Sequence, residues 1–78
     1  MDYKFLTPEQ RRQIIEEQLA QFEAEHFGHE LNKLRAENNP VLSEQDRAQV
    51  VEASTQAMET IEAAIDETAK ARDALDTG

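Results

Sequence analysis

The chain of 78 residues has no cysteine and no tryptophan, and only two glycines and two prolines. Without cysteine there is no disulfide framework, no thiolate metal site and no cysteine nucleophile, a pattern that suits a reducing compartment. With so little glycine and proline, few tight turns can be built, because these residues supply the backbone conformations that turns need. Positive charge is scarce too: 8 basic against 17 acidic residues leave a net charge of −9. A nonspecific binder of nucleic acid or of an anionic membrane needs a positive patch, so neither a membrane nor direct nucleic acid is an expected partner. No window approaches the roughly 18 apolar residues of a membrane span, and Met1 to Leu6 lacks the apolar stretch of a signal peptide. These absences predict a cytoplasmic protein, or one built into a particle that assembles inside the cell. Gly-rich phosphate loops, Gly-x-Ser-x-Gly and zinc-ligand spacings are missing as well. A chain this short is one domain or less and buries too little surface for a deep cleft. The expectation is therefore no enzyme activity, no catalytic residues, no metal site and no cofactor.

What is present is helix punctuation. Thr7-Pro8-Glu9-Gln10 combines a threonine N-cap, proline at the first helical position and glutamine placed to complete a capping box. Asn38-Asn39-Pro40 supplies asparagines that tolerate left-handed geometry, then a residue that cannot continue a helix. Ser43-Glu44-Gln45-Asp46 offers a second N-cap with acidic residues where the helix dipole favours them. The chain thus divides into an N-terminal arm (1–7), a first helix α1 (8–38), a connection (39–43) and a second helix α2 (44–76). Lys33 and Arg35 near the end of α1, and Lys70 and Arg72 near the end of α2, complement the carboxyl-terminal poles. Arg11 and Arg12 stand at the opposite pole and point to a contact instead. Each helix has about 31 residues and a length of roughly 46 Å. With so short a connection the two fold back on each other. The predicted fold is all-α, an antiparallel two-helix hairpin that associates into a helical bundle or coiled-coil oligomer.

The apolar rows fit that fold and leave a surplus. In α2, Val51, Ser54, Met58, Ile61, Ile65, Thr68, Arg72 and Leu75 alternate by three and four residues, the spacing of a heptad seam. Beside it Val50, Ala57, Ala64 and Ala71 recur every seven residues as a row of mostly small side chains, while Glu52, Gln56, Glu59, Asp66 and Lys70 mark a solvated face. In α1, Ile15, Leu19, Phe22 and His26 form one row; Ala20, Ala24, Phe27, Leu31 and Leu34 form a second, turned from it by roughly 120° on a helical wheel. One partner helix cannot cover both. The second row is expected to meet another copy of the chain or a different protein, and the arm residues Tyr3, Phe5 and Leu6 offer a cover from within the chain. A disulfide-free scaffold of this size gains stability from oligomerisation, so a homo-oligomer is expected.

The remaining candidates for chemistry are sparse. Glu23 and His26 match Glu-x-x-His, which carboxylate bundles use to place two di-iron ligands on one face, with Glu59 or Glu62 as further donors in a symmetric dimer. An acidic helix with one histidine matches this pattern easily, and α2 has no such motif, so His26 reads as an interface or core-edge histidine and His29 as a solvated one. Pairs of His26 with Glu23 or Glu30, and of His29 with Glu25, would make an assembly pH-sensitive if they formed. Gly28 stands mid-helix, where it costs about 1 kcal/mol relative to alanine, and marks a close crossing or a slight kink. Charge is uneven: residues 8–38 carry 4 − 7 = −3 and residues 43–78 carry 3 − 9 = −6.

From Leu6-Thr7-Pro8-Glu9-Gln10-Arg11-Arg12-Gln13-Ile14-Ile15 through Glu23-Ala24-Glu25-His26-Phe27 the sequence resembles the openings of small helical proteins encoded by actinobacterial tailed phages. The likeness covers about the first half of the chain and implies a structural or accessory role in the virion, with no catalytic residues. The leading expectation is a non-enzymatic assembly component that self-associates through the α2 seam and the second row of α1. An acidic inhibitor, whose spaced carboxylates imitate a phosphate backbone and occupy a basic nucleic-acid-binding site on a host protein, is the alternative.

Overall fold

The protein, described by a computed structural model over residues 5–77, with side chains through residue 75, is an antiparallel helical hairpin: α1 spans Pro8–Glu37 and α2 spans Glu44–Thr77. Among the described residues there is no strand. The rod measures 60 × 16 × 14 Å, and its radius of gyration is 17.8 Å, against roughly 11–12 Å for a compact chain of this length.

Both helix starts close locally. Thr7 accepts a hydrogen bond from the Gln10 backbone N–H at 3.2 Å, and the Thr7 N–H donates to the Gln10 side chain at 3.0 Å, which completes the capping box. Ser43 Oγ accepts from the Asp46 N–H at 3.1 Å at the head of α2. The end of α1 differs from expectation. Asn38 caps the helix at φ −103°, and no described residue has a positive φ. The asparagines act through their side chains instead: Asn38 Nδ2 donates to the Leu34 carbonyl at 2.8 Å, and Asn39 Oδ1 accepts from the Val41 N–H at 3.0 Å. At the far end α2 continues to Thr77, so its last turn holds no basic residue and Lys70 and Arg72 lie upstream of it.

The seam between the helices is longer than the apolar pattern reveals. On α1 the covered positions along the seam are Pro8, Arg12, Ile15, Leu19, Phe22, His26, His29, Lys33 and Ala36, a strict alternation of four and three, with Leu31 half-buried off it. On α2 they run from Arg47 through Val51, Ser54, Met58, Ile61, Ile65, Thr68 and Arg72 to Leu75 with the same alternation. Leu19, Ala36 and Ile61 are the buried apolar residues, joined by Ser54. Of the hydroxyls on this seam, Thr68 donates to the Ala64 carbonyl one turn back at 2.7 Å. No acidic residue lies on either half of the seam, and every described carboxylate is exposed.

Candidate functional site

Two features stand out once the hairpin is closed: a clamp at the corner and an uncovered row on α1. The clamp centres on Arg47, in the first turn of α2. Its Nε donates to the Ala36 carbonyl at 3.1 Å, and one Nη donates to the Asn39 and Leu42 carbonyls at 2.8 and 3.2 Å. The guanidinium thus ties the Ala36 carbonyl at the end of α1 to the Asn39 and Leu42 carbonyls of the connection, and brings positive charge to the negative pole of α1. Sequence reasoning missed this role. The available signal was an arginine on the α2 heptad seam one turn after the corner.

The first row of α1 (Ile15, Leu19, Phe22) and the α2 set (Val51, Met58, Ile61, Ile65, Leu75) face each other within one chain, with Leu19 and Ile61 buried and the others half-buried. The α2 seam, expected to drive self-association, is therefore occupied by α1 of the same molecule. The second row is left at the surface: Phe27 is 56% and Leu34 48% exposed, Ala20 and Ala24 are exposed, and Leu31 is half-buried. Of the arm, Leu6 lines a shallow apolar groove of about 480 Å³ at the open end of the hairpin with Arg11, Ile14, Ala71 and Leu75, and Phe5 is exposed. Tyr3 lies outside the described residues. In the small row, Ala57 and Ala64 are half-buried beside the seam, whereas Val50 and Ala71 are exposed.

His26 does find a carboxylate, but across the hairpin: its Nε2 lies 2.8 Å from Glu62 Oε2, with 26% and 60% of the two side chains exposed. Glu23 and Glu30, its neighbours in sequence, are not its partners. Among the described residues no three histidine, aspartate or glutamate side chains gather within one chain into a group able to hold a metal ion. Gly28 faces open space; a Cβ added there meets nothing within 4 Å, so no crossing inside the chain requires it. Among the described residues no helix is long and apolar enough to cross a membrane. Comparison with protein families, characterised proteins and solved structures finds no match to the chain.

Proposed function

We propose that the protein is a non-enzymatic helical interaction module that self-associates through the second row of α1 and serves as an assembly component. The observation that supports it most is the half exposure of Phe27 and Leu34 on a helix whose other face already packs on α2. Large apolar side chains aligned along one helix face and held at water mark an association surface. In line with the resemblance of its first half to small phage-encoded helical proteins, the assembly is a virion or a particle built in the host cytoplasm. Sedimentation across a dilution series at low and high ionic strength tests the reading. An apolar interface gives masses above 8.9 kDa that persist in high salt. A mass of 8.9 kDa at every concentration in both buffers refutes it.

One observation favours a second reading, that the rod inhibits a basic host protein by imitating a phosphate backbone. Every described acidic side chain is exposed, and the α2 half of the chain carries −6. Such binding weakens steeply with salt and competes with DNA. Failure of added duplex DNA to displace the rod from its basic partner rules it out.

A further inference from the structure

We infer that the second row of α1 packs against the same row of a second copy, parallel and in register, about a two-fold axis along the helix. The inference rests on the self-association proposed above and gives it an orientation. The exposed area suffices for a second copy as the occupant. The chain exposes 6088 Å², whereas a compact monomer of its mass exposes roughly 4,800 Å². The surplus, roughly 1,300 Å², exceeds the ~800 Å² that each partner gives to a standard interface.

Charge then selects the orientation. Ala20, Phe27 and Leu34 hold one core position of a heptad, and Ala24 and Leu31 hold the other. One flank of this row carries Glu16, Glu23 and Glu30; the opposite flank carries Gln21, Gly28 and Arg35. In an antiparallel pair each flank meets its own kind, which sets Glu23 against the partner's Glu30 and the reverse, two like-charge contacts. In a parallel pair each flank meets the other kind five residues on. Glu16 then faces the partner's Gln21, Glu23 faces the partner's Gly28, and Glu30 faces the partner's Arg35. One like-charge layer remains, Glu17 against the partner's Glu17 at the amino-terminal edge of the row, and an ion pair forms on each side of the axis. Glu30 and Arg35 are both exposed, and neither has an ion-pair partner in its own chain among the described residues.

The absence of cysteine gives a clean background for the test. In a parallel, in-register pair the two copies of residue 31 approach within disulfide range. Mild oxidation of Leu31→Cys is therefore expected to yield a reducible species of twice 8.9 kDa. Leu31 is off the hairpin seam, so the substitution leaves the monomer fold intact. When Ala20→Cys and Leu31→Cys chains are mixed and oxidised, the parallel arrangement gives the two homodimers; a predominantly mixed dimer overturns it in favour of the antiparallel one. Glu30→Arg is expected to weaken the dimer roughly tenfold, and Arg35→Glu added to it to restore it. A dimer in solution that Leu31→Cys does not cross-link and Glu30→Arg does not weaken removes this orientation and leaves self-association standing. A monomer at every concentration removes both.

Discussion

Arg47 is the residue on which the corner depends. It bonds three backbone carbonyls from a partly buried position, and each is a charge-assisted contact. Arg47→Ala is expected to destabilise the hairpin by about 2 kcal/mol, read as a lower urea midpoint in far-UV circular dichroism. Arg47→Lys recovers only part of this, because an ammonium lacks the planar fork that reaches separate acceptors. Gly28 predicts the opposite sign. Its environment is open, so Gly28→Ala removes backbone freedom without a clash and raises stability by about 1 kcal/mol. The His26–Glu62 pair, more than a quarter exposed on one side and more than half on the other, is worth little: a double-mutant cycle is expected to return a coupling below about 1 kcal/mol.

At the scale of the helices, the ends were legible and the packing less so. Thr7 with Gln10, and Ser43 with Asp46, are closed by contacts three residues apart, so four letters of sequence carry the whole signal. The seam of α1 was visible only from Ile15 to His26, because Arg12, His29 and Lys33 hold their heptad positions with polar side chains that apolar periodicity passes over. Glu62 as the partner of His26 could not be read, since cross-hairpin register is set by the corner and the whole seam together. The same polarity makes the core thin. Leu19 and Ile61 are its only large buried residues among those described, so Leu19→Ala is expected to cost about 2–4 kcal/mol, enough to leave the helices partly unfolded by circular dichroism at moderate temperature.

For the whole molecule, shape and charge act together. The chain carries −9, and its exposed carboxylates are spread along a rod 60 Å long. Their mutual repulsion is screened by salt, so the melting temperature is expected to rise with ionic strength at constant protein concentration. Composition predicted this excess of acid but not its arrangement, with Arg12, Lys33, Arg47 and Arg72 on the seam and every described carboxylate at the surface. The surplus apolar row of α1 was legible because a 30-residue helix allows two rows to be counted; the proposed cover for it is a second chain. The most direct test is light scattering on the wild-type chain beside Leu34→Asp, which alters the exposed row and leaves the seam untouched. The wild type is expected at twice 8.9 kDa, and Leu34→Asp at 8.9 kDa with unchanged helicity. A wild-type mass of 8.9 kDa over the full concentration range would contradict the central claim that this row is an interface between copies.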